Sequence, residues 1–482
     1  MQIKQLVMSV LALLLCCPAV PAVEPQTEEA EGYILCLKPG AELSVGSDAE
    51  PLLEEEGVYY TEDLSLVTEL EDLGVLDAWE EDGQVSLFGC EEDMAALKKE
   101  TWSRAILGAD YAAARGITGT DSQGRPVRVG IIDSGLMPDF SAYTTCTVLE
   151  GTNYCVAETS ASRSDTSDLL GHGTFAASLI AATPAGAVTS QLGLAPEIEL
   201  VPLKCFDSQN GSWSLIIEAL GDAVDVYHCD VINMSLGDPS TSEGLKRAVD
   251  YALEAGVILV ASGGNKKSSV DTRLYYPAAY DGVIAVGSID DRKQVASHSV
   301  QNRSIWVTAP GSLVEGLTLS GGTRYASGTS YSAPMVSAAA ALALSADRSL
   351  TPEGVMTLLA ETAEDLGPPG WDPAYGYGMM NLGLLLATLT GDSESVIPSY
   401  YDKTLCLSFY KPPAENTVTW MARYEVDGRI FSLEELTGSL NNDPLTADAP
   451  LVKLMTVEET GFVPVRPAAA YGCDAPGTDN NE

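Results

Sequence analysis

The sequence predicts an α/β fold: a doubly wound, mostly parallel sheet with helices on both faces. A small α+β segment precedes it and a small all-β segment follows it. Three observations predict this. Between residues 101 and 391, short runs rich in Val, Ile and Leu alternate with longer stretches of helical spacing, the pattern of parallel strands covered on both faces. Residues 24–100 place one amphipathic stretch between two strand-like runs, and residues 400–470 hold strand-like runs alone. With 482 residues, 45% of them hydrophobic, the chain can build more than one core.

Residues 1–22 read as a secretory signal. Lys4 supplies the positive charge, LVMSVLALLLCC the apolar stretch, and AVPA places small residues at Val20 and Ala22. A secreted or extracellular protein follows, with no transmembrane segment after the signal. Lipid anchoring at Cys16 or Cys17 is the alternative, and the bulky Leu residues before them count against it. In the next segment GYILCLKP and QVSLFG are strand-like, and EDLSLVTELEDLGV between them has helical spacing. In the middle segment VRVGII, IELVPLK, DVINMS, GVILVAS and GVIAVGS read as strands, with helices starting at His172, Trp213, Thr241 and Ser330. LCLSFY, VTWMARY, RIFSL, LVKLM and GFVPV make the last module, before an acidic tail. The domains expected are therefore 1–22, 23–100, 101–391 and 392–482.

Formal net charge is −42, which excludes nucleic acid as a partner, since binding it needs clustered Lys and Arg. Residues 24–100 carry 23 acidic and 3 basic side chains, a net of −20. Eight Cys residues follow the signal. Pairing of Cys36 with Cys90, Cys146 with Cys155 and Cys406 with Cys473 is one expectation, and free buried thiols are the other. No Cys/His spacing suggests zinc.

A Ser at the head of an Ala-rich helix, in GTSYSAPMVSAAAALALSA, is either a helix cap or a nucleophile. A nucleophilic hydroxyl needs a His base and an orienting carboxylate. His172, in DLLGHGTFAAS, precedes a helix of small residues, a setting that His228 and His298 lack. Asp133 ends the apolar run VRVGII, where a carboxylate is costly unless paired. Asn265 follows GVILVASGG at another strand end, where its amide could donate to an oxyanion. Taken singly, each is also an ordinary turn or strand-end residue.

Together, VGIIDSG, GHGT, VINMSLG, the Asn after SGG, and GTSYSAP resemble the motifs of the subtilisin-like serine proteases, over roughly residues 102–390. The order Asp, His, Ser is the one that family uses. Sedolisin-like peptidases share the Ser motif but have a Glu as base, and His172 argues against them. The resemblance implies a secreted serine endopeptidase made as a zymogen, with Asp133, His172 and Ser330 as its triad and Asn265 as an oxyanion donor. The alternative is a catalytically silent binding or scaffold protein on the same fold.

The resemblance further implies protein or peptide substrates, bound as an added strand. Ser235-Leu236-Gly237 and Ser262-Gly263-Gly264 would edge the main specificity pocket, with Gly211 and Trp213 on the outer strand. Tyr275 stands where the family has a small residue at the pocket floor, and Lys266 follows Asn265. Both departures point toward smaller or acidic residues at the cleaved position. Residues 23–100 resemble the family's propeptide, here an intramolecular inhibitor, with GYILCLKPG and AWEEDGQVSLF as its first and last strands. Self-cleavage is expected between about Gly89 and Trp102. No cofactor is required by the resemblance. Structural calcium is common in the family, and Asp139 matches a frequent ligand position.

Overall fold

The computed structural model describes residues 32–391 apart from positions 40, 42, 44–48, 89, 92–101, 158–161, 184–191 and 268–270, together with the backbone of four strands between residues 396 and 459. The expected signal and the acidic tail lie outside the described residues.

In chain order the first segment forms β1 (Tyr33–Leu37), β2 (Glu50–Leu53), β3 (Val58–Thr61), α1 (Leu64–Asp72), β4 (Leu76–Glu81), β5 (Gln84–Leu87) and β6 (Cys90–Glu91). The sheet order is β2-β3-β1-β4, all antiparallel. Side chains alternate across β1, as the pleat requires. Leu35 and Leu37 pack on Val67 and Leu70 of α1, while Ile34 and Cys36 join the core of the following domain. AWEEDGQVSLF does not form one last strand. The chain breaks at Asp82-Gly83, so β4 stays in this sheet and β5 leaves it.

The middle segment forms β7 (Arg128–Asp133), β8 (Thr147–Val148), β9 (Thr152–Asn153), β10 (Glu199–Lys204), β11 (Asn210–Ser212), β12 (Val231–Met234), β13 (Leu236–Gly237), β14 (Ile258–Ser262), β15 (Ile284–Ile289), β16 (Ile305–Pro310), β17 (Val314–Leu317) and β18 (Thr323–Ser327). The main sheet runs β16-β15-β14-β12-β7-β10-β8, with β9 also on β10. Its pairings are all parallel. All five expected strands are present. β16 (IWVTAP) was not expected, because Trp306 and Thr308 interrupt its apolar run.

Both faces of this sheet are buried, so successive strand residues feed two cores. Val129, Ile131, Val231, Val260 and Val286 face one core; Ile132, Ile232, Met234, Leu259 and Ala261 face the other. The second core is closed by α2 (Trp213–Asp225) and α3 (Glu243–Glu254). α3 starts two residues after the expected Thr241, because Ser242 caps it by accepting from the Leu245 N–H at 3.0 Å. The first core surrounds helix Thr329–Ala346, in which every residue from Thr329 to Ser345 is buried. Small side chains let it pass close to its neighbours on all sides, which explains its Ala-rich, nearly non-amphipathic sequence.

The last described strands, Val396–Tyr401, Thr404–Phe409, Thr417–Glu425 and Leu454–Glu459, form one antiparallel sheet. RIFSL and GFVPV lie outside the described residues.

The cysteines correct one expectation. Cys36, Cys146 and Cys155 are free and buried, as are Cys205 and Cys229. Cys36 faces the second core and Cys146 the first, while Cys90 lies far along the chain's path on the strand beside Ser327. Cys473 lies outside the described residues. Burial pushes the Cys36 and Cys229 thiols up to about 12, and Cys146 up to about 11, so they stay protonated and unreactive.

Candidate active site

Asp133, His172, Asn265 and Ser330 come from four separate strand ends or helix starts, and the parallel sheet gathers them at one edge. Asp133 is the last residue of β7 and is fully buried. Both of its carboxylate oxygens face His172 Nδ1, at 2.8 and 3.0 Å. The Ser134 N–H donates to the same Asp133 Oδ1 at 2.7 Å.

His172 opens helix His172–Ala181, and the turn that presents it is held by Asp168. That carboxylate accepts from the Leu170 and Gly171 N–H groups, the Thr174 N–H and hydroxyl, and the Ser134 hydroxyl. Ser134 in turn accepts from the Gly173 N–H at 2.9 Å. Burial opposes a charge on the His172 ring, but Asp133, Asp168 and the Phe88 carbonyl outweigh it, so its pKa is raised above 6.5. His172 Nε2 has no hydrogen-bond partner among the described residues.

Ser330 is the second residue of its helix, which begins at Thr329. Pro334 therefore lies in the second turn, one turn later than the sequence suggested. There its missing N–H leaves the Ser330 carbonyl without a helical donor. Ser235 supplies one: its hydroxyl donates to Ser330 O at 2.8 Å. The Ser330 hydroxyl donates back to Ser235 O at 2.9 Å. The two serines thus hold each other across the gap that Pro334 creates.

Asn265 is locked from the other side. Its Oδ1 accepts from the Thr329 N–H at 3.1 Å and the Thr329 hydroxyl at 3.0 Å. With the oxygen committed to Thr329, the amide nitrogen is the end left to face the cleft. That Ser134, Ser235 and Thr329 hold these groups was not read from the sequence, although all three lie in or beside its motifs.

The cleft is filled by the protein's own first segment. β5 runs antiparallel between β11 and β13, in the register Gly211↔Val85, Ser212↔Gln84, Leu236↔Leu87 and Gly237↔Ser86. The Phe88 N–H donates to Ser235 O at 3.4 Å, and the Phe88 carbonyl accepts from the Ser330 N–H at 3.3 Å. Beyond it, Cys90 and Glu91 pair with Ser327 and Ala326 of β18. The Phe88 carbonyl thus stands at the Ser330 N–H and also acts on the His172 ring.

The Phe88 ring packs with Tyr275, Val300 and Ile305. Tyr275 meets it edge-on, with centroids 5.2 Å apart and planes at 88°. Gly237 and Gly264 make room: a Cβ on Gly237 would stand 2.8 Å from the Phe88 ring, and one on Gly264 2.5 Å from the Tyr275 ring. Gly263 bonds back to Val286 O, and the Ser262 hydroxyl donates to Leu236 O, tying the two walls together. Trp213 is buried, its backbone N–H donates to Gly83 O at 3.0 Å, and its indole lies against Gly83.

The Tyr275 ring lies along Gly264, and the Phe88 ring occupies the space beside it. Lys266 bonds through its N–H to the His298 carbonyl, and its charge, after burial, holds the His298 ring down at about 4. The residue whose carbonyl meets the Ser330 N–H is Phe88, next to the window expected to open at about Gly89.

The first segment, net −20 over residues 24–100, lies on a domain that is itself acidic. Locally it is attracted. Glu80 accepts from the Ser242 hydroxyl and from the Glu243 and Gly244 N–H groups at the start of α3. Asp82 does the same at the start of α2, from the Ser214 N–H and hydroxyl. Helix N-termini favour such anions. Arg247 bonds Asp77 and the Leu37 carbonyl.

Asp139 is exposed, and no group of three or more metal-ligating side chains occurs among the described residues. Residues 184–191 lie outside them.

The family model described as the Subtilase family matches residues 124–378. The chain is 37% identical to Subtilisin DY of Bacillus licheniformis over 279 residues, covering 58% of this chain and 95% of that protein. It is 30% identical to a thermostable alkaline protease of Halalkalibacterium halodurans over 393 residues, 79% of this chain and 98% of that protein. The crystal structure of a lanthipeptide protease superposes with a TM-score of 0.51 at 26% identity, covering 62% of this chain and 98% of that one. With its parallel sheet and with Asp133, His172, Asn265 and Ser330 gathered at one edge, the chain belongs to the subtilase family of serine endopeptidases.

Proposed function

We propose that the protein is a secreted zymogen whose Asp133-His172-Ser330 triad first cuts its own chain at Phe88–Gly89 and then other protein chains. The observation that carries this is the Phe88 carbonyl on the Ser330 N–H, within the field of His172. A peptide bound so, as an added strand with its carbonyl at the oxyanion donors, is positioned for acyl transfer. His172 takes the Ser330 proton as the hydroxyl attacks the Phe88 carbonyl carbon, and the C–O bond forms. Asn265 Nδ2 and the Ser330 N–H hold the oxyanion. His172 then returns the proton to the leaving Gly89 nitrogen as the C–N bond breaks, and water releases Phe88 from the acyl enzyme by the same route in reverse.

Residues 23–88 remain as an inhibitor through the bonds of Glu80, Asp82 and Asp77. Residues 1–22 act as the signal. Mass spectrometry of the secreted protein tests the scheme: the mature N-terminus is expected at Gly89, and a serine-reactive phosphonate is expected on Ser330. A first N-terminus deeper in the linker, at 93–102, contradicts the cleavage site; failure to label Ser330 favours a silent scaffold.

Asn265→Ala tests the oxyanion role. Loss of one such donor is expected to lower kcat by about 10²–10³ with little change in KM, a size measured in a subtilisin. A rise in KM alone would move Asn265 from chemistry to binding.

A further inference from the structure

The pocket around Phe88 is held open by residues outside it. A Tyr at its floor would ordinarily be free to swing into the space the Phe88 ring takes. Here the Tyr275 hydroxyl is tied on the far side. It donates toward Asp271 Oδ2 at 3.1 Å and accepts from Arg273 at 3.0 Å. Arg273 also grips both Asp271 oxygens, with Nε–Oδ1 at 2.9 Å and a second nitrogen to Oδ2 at 2.6 Å. The Asp271 side chain is 2% exposed and the Arg273 side chain 48%. The backbone N–H groups of Lys267 and Arg273 donate to the same carboxylate, and Asn302 donates to the Arg273 carbonyl. Asp271 thus gathers bonds from Lys267 and Arg273, and the tyrosine hydroxyl is held among them. The guanidinium keeps the Asp271 carboxyl well below the usual carboxylate range, so the tie persists at any pH at which a peptidase is assayed.

From this we infer that Asp271 and Arg273 are positioning residues for the primary specificity pocket, holding Tyr275 edge-on so that the pocket selects a Phe side chain at the cleaved position. The inference rests on the proposed peptidase function. Two features favour an aromatic over an aliphatic occupant. The edge of a fixed ring meets the face of another at a distance and angle that aromatic pairs prefer. The glycine backbone on the opposite side leaves a flat slot, since any side chain at Gly237 would enter it. A freed Tyr275 would lose the first feature and encroach on the second. Asp271 and Arg273 bond the Tyr275 hydroxyl, and the Tyr275 ring packs on Phe88, so their effect passes through Tyr275.

The test is kcat/KM of the mature enzyme on peptides that differ only in Phe, Leu or Ala at the cleaved position. The parent, Arg273→Ala, Arg273→Lys, Asp271→Asn and Tyr275→Phe are compared. The parent is expected to favour Phe over Leu by about fivefold, as an aromatic pair of ordinary strength would give. Arg273→Ala, Asp271→Asn and Tyr275→Phe are each expected to bring that ratio near one, through KM of the Phe peptide. Arg273→Lys is expected to restore part of it. A merely structural role would lower all three peptides together and leave the ratio alone. An unchanged ratio in Arg273→Ala, whose half-exposed side chain can be lost without opening the core, overturns the inference. An inactive parent, by contrast, removes the peptidase reading itself and this inference with it.

Discussion

Ser330→Ala is expected to accumulate as one unprocessed chain beginning near Val23 and to lose peptide hydrolysis by about 10⁶-fold. That magnitude was measured for loss of the nucleophile in a subtilisin, a relative of this chain. The fold should survive. Ser330 is fully buried, and the substitution removes one hydroxyl that donates to Ser235 O. The Phe88 N–H still donates to that carbonyl, so the cost should be about 1 kcal/mol. The Ser235 hydroxyl keeps its bond to the residue 330 carbonyl, and the start of the helix stays in place. The experiment needs a host without other extracellular proteases, with the N-terminus read by mass spectrometry. Processing at Gly89 in the Ser330→Ala protein would show that another protease makes the cut. Hydrolysis at the parent's rate would remove Ser330 from the chemistry.

Asp133→Asn is expected to lower kcat by about 10⁴-fold while leaving the fold intact. The reason lies in the bonds around the carboxylate. The Ser134 N–H requires an acceptor at Oδ1, so the amide nitrogen would take the place of Oδ2, 3.0 Å from His172 Nδ1, and press a donor on that nitrogen. Nδ1 would then have to accept, which puts the ring proton on Nε2, the atom that must receive the proton of Ser330. A change in pH dependence should accompany the loss. In the parent, His172 acts as a base only when neutral, and its pKa is raised above 6.5. Activity should therefore fall as pH drops through a value above 6.5. Burial is the largest influence on this ring and lowers its pKa; the Asp133 charge is the next and raises it. Without that charge burial dominates, so the acid limb of the residual activity should move to lower pH. An acid limb that stays in place would mean that another group controls it.

Much of the candidate site was legible because subtilase chemistry uses rare residue types in distinctive surroundings. Only three histidines exist, and only His172 sits between glycines before a helix of small residues. Asp133 and Asn265 close apolar strands, where a polar side chain is conspicuous. Strands buried on both faces also read plainly, since each is a near-continuous apolar run. By contrast, Thr329, Ser134 and Ser235 are among the commonest polar residues. Their roles depend on bonds to groups 39 to 95 residues away, which no local pattern encodes.

The sequence by itself determined the α/β class, the four candidate catalytic residues and the strand-like ending QVSLF, because periodicity and motif chemistry are local. Where that ending goes was decided only by the tertiary structure. β5 could have paired with β4, its neighbour in sequence. Asp82 and Gly83 break the strand, and the free edges of β11 and β13 offer a place between them. There Phe88 finds an apolar pocket and its carbonyl finds the Ser330 N–H. The same holds for Tyr275. As a sequence letter it fills a pocket, but in the fold its hydroxyl is drawn away to Asp271 and Arg273, and the pocket stays open. Contacts between residues distant in sequence chose between alternatives that local propensity left equal.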